Sequence, residues 1–189
     1  MPQLTGELFA MNADGSKKEN LLGYRVESAG PGTRIQPKKA GFVAGYLVDT
    51  LPHDDRNIVV MVRPFADLPY TSAELLDVYT GGRTVLARSP VTEADFVTDA
   101  RGVVRFAYGA TANNASQLYH RDGEGQEWKI LNDEDVTERV ELPLGFSADQ
   151  RVAYLSVEQA EGTDAIVSLD VASGRRTELL RDPRVDPED

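Results

Sequence analysis

The chain contains no cysteine. Disulfides, thiolate nucleophiles and Cys-ligated zinc are therefore all excluded. Histidine is nearly as scarce: of 189 residues only His53 and His120 are available as an imidazole base or ligand. Tryptophan occurs once, at Trp128. No apolar run approaches the ~20 residues that a membrane-spanning helix needs, so no membrane partner is expected. The N-terminus, Met1-Pro2-Gln3-Leu4-Thr5, has no basic stretch followed by an apolar one, and no secretory signal is expected there. Positive charge is also in deficit, with 20 Lys and Arg against 31 Asp and Glu and a net charge of −11. A phosphate-binding surface would be a local exception to that field, which argues against nucleic acid as a partner. The acidic excess reads as solubility. Arg34, Lys38 and Lys39 are too few to make an anion-binding patch in so acidic a chain.

What the chain does have is an internal repeat. Leu76-Asp77-Val78-Tyr79-Thr80-Gly81-Gly82-Arg83-Thr84-Val85-Leu86 returns as Leu169-Asp170-Val171-Ala172-Ser173-Gly174-Arg175-Arg176-Thr177-Glu178-Leu179. Seven of the eleven positions are identical, at an offset of 93 residues. Each copy reads as strand, Thr-Gly or Ser-Gly turn, strand. Ala73 to Asp77 alone could start a helix, but its counterpart Ile166-Val167-Ser168-Leu169 favours a strand. Looser copies start at Leu118 and Leu8. A second hairpin precedes each of the last three copies: Gly45–Asp49 into Asn57–Val62, Phe96–Asp99 into Val103–Tyr108, and Phe146–Asp149 into Val152–Val157. Four short strands in about 45 residues are the signature of a β-propeller blade.

The fold class expected is all-β: a partial β-propeller of about three four-stranded antiparallel blades, plus two strands of a preceding one. The expected divisions are an outer hairpin at 7–22, blades at 41–88, 93–132 and 140–181, and a tail at 182–189. The connection from Gly23 to Lys39 falls outside the rhythm and reads as a loop or stray edge strand. Propellers remove their edges by closing the ring. Three and a half blades leave edges and apolar faces open, so a homo-oligomer formed through them is a further expectation.

The inner Phe-Ser-x-Asp hairpin and the outer Leu-Asp-Val-x-[Ser/Thr]-Gly hairpin resemble the N-terminal propeller of prolyl oligopeptidase family serine peptidases. The dipeptidyl aminopeptidase and acylaminoacyl peptidase branch is the most similar in phrasing, and bacterial members carry comparable text. The longer phrases are Val48 to Arg56, Leu142 to Asp149 and Leu169 to Gly174, and the resemblance covers roughly residues 7–182. TolB-type propellers share the blade motifs. The resemblance implies a propeller that does no chemistry itself. It would cover an α/β-hydrolase domain carrying a Ser-Asp-His triad and limit access to peptide substrates. It also implies a periplasmic or secreted parent, although the residues themselves leave the compartment open. No Gly-x-Ser-x-Gly occurs in the chain, so the catalytic domain is expected elsewhere and this chain is expected to be non-catalytic. The alternative is a stand-alone TolB-like module that binds a protein partner.

Each chemically suggestive residue also has a scaffold reading. Gly145-Phe146-Ser147-Ala148-Asp149 lacks the second glycine of a nucleophile elbow and falls on an inner hairpin. His53 with Asp54 and Asp55 could seat a metal or form an acid–base pair, but a solvated hairpin tip explains the same residues. His120 reads as a satisfied structural histidine, since aligned copies carry Asp77 or Ala10 near its position. Asn132-Asp133-Glu134-Asp135 is oxygen-rich enough for calcium but lacks the glycine and distal glutamate of a dedicated loop, and reads as a solvated interblade loop. Asn114-Ala115-Ser116 matches a glycosylation acceptor formally. Trp128 fits an outer-strand packing position. A small hydrolase using His53 or His120 is the weakest reading. No residue is assigned as catalytic, cofactor-binding or metal-ligating, and no cofactor is expected.

Overall fold

The computed structural model describes residues 6–24, 42–159 and 161–187. Arg34, Lys38 and Lys39, with most of the connection that holds them, lie outside the described residues. The chain divides into two compact units, Met1–Arg88 and Ser89–Asp189.

In the first unit, β1 (Leu8–Ala10) and β2 (Glu19–Leu22) form a two-stranded hairpin. A four-stranded antiparallel meander follows: β3 (Val43–Asp49), β4 (Asn57–Pro64), β5 (Ser72–Asp77) and β6 (Arg83–Arg88). Leu21 and Leu22 of the hairpin pack with Val60, Val62 and Leu76 of the meander into one core. Gly45 makes that contact possible, because a Cβ there would run into the Leu22 side chain. β-Branched residues suit such a pleated, buried surface, and Val59, Val60 and Val62 of β4 are all buried.

The second unit holds two more meanders: β7 (Asp95–Thr98), β8 (Val104–Ala110), β9 (Ser116–His120) and β10 (Lys129–Asp133), then β11 (Glu141–Phe146), β12 (Val152–Val157), β13 (Ala165–Asp170) and β14 (Arg176–Leu180). Period-2 alternation in β13 sends Ala165, Val167 and Leu169 inward. They join Ala153, Leu155 and Val157 of β12, and Phe106 and Leu118 of the preceding sheet, in a single core. The Phe106 and Phe146 rings stack across it with centroids 5.1 Å apart.

Among the described residues the chain is thus all-β, with three four-stranded antiparallel sheets of the propeller-blade type and a leading hairpin. The eleven-residue repeat falls on β5–β6 and β13–β14, and Ala73 to Asp77 is strand throughout. Two details differ from the sequence reading. Asn132 and Asp133 complete β10, and Glu134–Thr137 form one helical turn (α1) rather than open loop. Trp128 stands in the connection just before β10 rather than in the strand.

Candidate functional site

The strongest concentration of buried polar side chains lies where β8 meets β9. An arginine stands in the same pairing frame of all three meanders. Its carbonyl accepts the amide that follows the third strand: Val78 N to Arg56 O at 2.9 Å, Arg121 N to Arg105 O at 3.0 Å, and Val171 N to Arg151 O at 3.0 Å. The last residue of that third strand is Asp77 in the first sheet and Asp170 in the last, but His120 in the middle one.

The substitution changes the chemistry of the frame. Arg56 grips Asp77 through Nε and Nη2, at 2.8 and 2.7 Å from the same Oδ2. Partial burial by itself would raise the Asp77 pKa. That is outweighed by hydrogen bonds from Arg56, the Tyr79 amide and Thr80, which hold it at about 2. Arg105 has no such acid opposite and spreads its donors instead. Nε donates to Arg121 O at 2.8 Å, Nη1 to Asp99 Oδ2 at 3.2 Å, and Nη2 lies 3.3 Å from His120 Nε2. A guanidinium can only donate, so Nε2 is the acceptor and the neutral ring carries its proton on Nδ1. That nitrogen faces Asp122 Oδ1 at 3.9 Å.

His120 is 7% exposed, and desolvation followed by the charge on Arg105 pushes its pKa down to about 4. Its one lone pair is occupied by a guanidinium N–H. A ring in that state cannot act as a general base at neutral pH. Arg121, 4% exposed, donates Nε to Val104 O at 2.7 Å and lies over the Trp128 ring at 4.9 Å. The cluster is a clasp that closes the ends of β8 and β9.

The other candidates resolve as turn and strap chemistry. His53 is exposed in the β3–β4 turn. Asp54 beside it accepts from the Arg56 and Asn57 amides and from Asn57 Nδ2, which shapes the turn. Ser147 Oγ donates to Asp149 Oδ1 at 2.7 Å and accepts from the Val152 amide, again inside a hairpin turn with no imidazole among its bonded partners. The oxygen-rich run fastens β10 to its neighbours. Asn132 is buried and bonded to Arg139 O and Thr137 Oγ1, Asp133 accepts from Gln117 Nε2, and Glu134 accepts from the Ser116 amide. Those oxygens are committed to the protein. Among the described residues no group of three His, Asp or Glu side chains could hold a metal ion. Asn114 is exposed in the β8–β9 turn at φ 66°.

The sequence reading passed over Arg105, Arg121 and Asp99. The available signal was a lone cation inside the apolar run Val103-Val104-Arg105-Phe106-Ala107, since a buried strand charge needs partners.

The fold defines the class first: blades of the β-propeller type. Comparison with known proteins gives two particular likenesses. TolB from Acinetobacter baumannii, in its crystal structure, matches 94% of this chain and 38% of its own, at a TM-score of 0.55 and 13% identity. Dipeptidyl aminopeptidase BIII of Pseudoxanthomonas mexicana is 29% identical over 114 residues, which are 59% of this chain and 16% of that protein. The chain therefore spans a minor part of each protein it matches. No family model matches the sequence.

Proposed function

We propose that the chain is a non-catalytic propeller region of a larger serine peptidase of the prolyl oligopeptidase type, restricting substrate access to a hydrolase domain. The observation that carries this reading is the outward face of the β11–β14 sheet. Two adjacent cross-strand rows on it run Leu142, Ser156, Ile166, Leu180 and Gly145, Tyr154, Ser168, Thr177, before the Val152–Asp170 pair at the hairpin end. Neither row contains a charge, although the chain carries −11. That is the character of a sheet face that another blade covers. The likeness to a dipeptidyl aminopeptidase supports the peptidase context.

Sequencing the native reading frame beyond Asp189 tests the reading. The expected result is one or more further blades, then a Gly-x-Ser-x-Gly strand–turn–helix. A frame without that element overturns it.

A second reading, a free-standing module that binds a protein partner, is favoured by exposed aromatics in the first unit. Phe42 is 84% exposed, and Phe65 and Tyr70 are also exposed. Partner capture that disappears in Phe42→Ser and Phe65→Ser variants would support it, and capture unchanged by both would count against it.

A further inference from the structure

We propose that His120 is an acid-sensitive latch. In its neutral form it accepts a hydrogen bond from Arg105, and on protonation it releases the tip of the β9–β10 hairpin, residues 121–128, while the sheets stay paired.

Nε2 of His120 is 3.3 Å from Arg105 Nη2, and both partners are buried. Adding a proton to Nε2 places N–H against N–H and a second cation beside a guanidinium. The contact then changes from attractive to repulsive. In the first sheet the same frame holds an Arg56–Asp77 ion pair, which keeps its sign until the carboxylate titrates. The last sheet again carries an aspartate, Asp170, with Arg151 near enough to act on it electrostatically. Only the middle sheet has put an imidazole there, whose charge changes at a higher pH than that of Asp77.

The surroundings offset only part of the new charge. Arg105 on β8 and Lys129 on β10 both oppose it, and Asp122 is its nearest acid. Asp122 is already held by Lys129 Nζ at 2.6 Å. Asp99 in the β7–β8 turn is committed to Arg105 and to the Arg101 and Val103 amides. Arg121 follows directly in sequence and adds a further buried cation, while Glu124 acts on Arg121. The Phe106 ring, its centroid 5.1 Å from that of the imidazole, and Phe146, over which Arg105 lies, complete the enclosure and keep water from the ring.

The consequence is local because of what the latch holds. Arg105 Nε and the Arg105 carbonyl both engage Arg121, and Arg121 in turn lies over Trp128. Loss of the His120 contact loosens Arg105, then Arg121, then the tip. The folded-state pKa of about 4 lies below the ordinary 6.5, so the unfolded or opened form binds the proton more readily. The latch is fully closed above about pH 6.5 and weakens as the pH falls towards 4.

Trp128 is the only tryptophan and sits on the released segment, so its fluorescence reports the event directly. The full chain is titrated from pH 7 to 4 with far-UV circular dichroism recorded alongside. We expect a red shift of Trp128 emission before any loss of strand signal. In His120→Gln, whose side-chain oxygen can accept from Arg105 but does not titrate, we expect that shift to vanish. Identical pH profiles for the two proteins would overturn the proposal. Should His120→Gln fail to fold, the His53→Gln variant leaves one imidazole for 15N NMR. An Nδ1-protonated ring at neutral pH supports the latch, and an Nε2-protonated ring overturns it.

Discussion

Arg105 is held by three kinds of acceptor at once: a carboxylate, a carbonyl and an imidazole nitrogen. Removing it leaves Asp99, which is 5% exposed, without its countercharge. Arg105→Ala is expected to destabilise the second unit by about 3 kcal/mol. The low end of the range for a broken buried pair applies because two backbone amides still satisfy Asp99 Oδ1. Urea unfolding measures the loss, and adding Asp99→Asn should recover part of it by removing the stranded charge. Asp77 offers a test through its own titration. Its pKa of about 2 lies below the ordinary 3.8, so the stability it contributes is present above pH 3.8 and lost as the pH falls through 2. Carboxyl NMR should find Asp77 still ionised at pH 3, and Arg56→Gln should move its titration upward. At this scale the sequence was partly legible. The aspartates of the repeated hairpins announce their turns, because Asp is a local acceptor for amides two and three residues on. The Arg105–His120 contact was not legible, because it joins residues on two strands whose register only pairing determines.

The strands owe their faces to period-2 alternation and their ends to turn chemistry, so elements were the most readable level. Two connections depend on something less visible. β8 passes so close to the turn before β7 that Gly109 has no room for a side chain. A Cβ there would meet Thr92 O at 2.5 Å and Ala94 Cα at 2.8 Å, both backbone atoms. Gly109→Ala is expected to cost about 1–3 kcal/mol through overpacking, seen as a lowered melting temperature. The link from β10 to β11 is fastened by Asn132, whose amide satisfies Arg139 O and whose oxygen accepts from Thr137. Asn132→Ala should cost about 1–2 kcal/mol, because two hydrogen bonds made by a buried side chain are lost. Hydrogen exchange localised to residues 132–140 would check it. Composition made this stretch look like a solvated or calcium-binding loop. Its oxygens are instead consumed by β9 and the helical turn, which come within reach only after the sheet forms.

For the whole molecule the open question is what covers the outward face of the last sheet. Apolar sheet faces left in water favour association. The isolated chain is therefore expected to self-associate at high concentration, and Ile166→Lys, in the middle of the uncharged row, should suppress it. Light scattering that finds a clean monomer of the parent sequence at high concentration would rule this out. The sequence by itself determined the architecture: an eleven-residue repeat at a spacing of 93 residues, with one strand on either side of its turn and a second hairpin before it, admits little besides four-stranded blades. It also determined what chemistry is absent, because missing residue types cannot be supplied by folding. Only the tertiary structure decided what the polar residues do. Whether an arginine meets an aspartate, a histidine or water depends on cross-strand register and on which neighbour excludes solvent. Local sequence does not encode either. His120 occupies the place that Asp77 and Asp170 hold in the other sheets, and that single difference of partner replaces an aspartate, as in the Arg56–Asp77 ion pair that breaks only in strong acid, by a contact that titrates at higher pH.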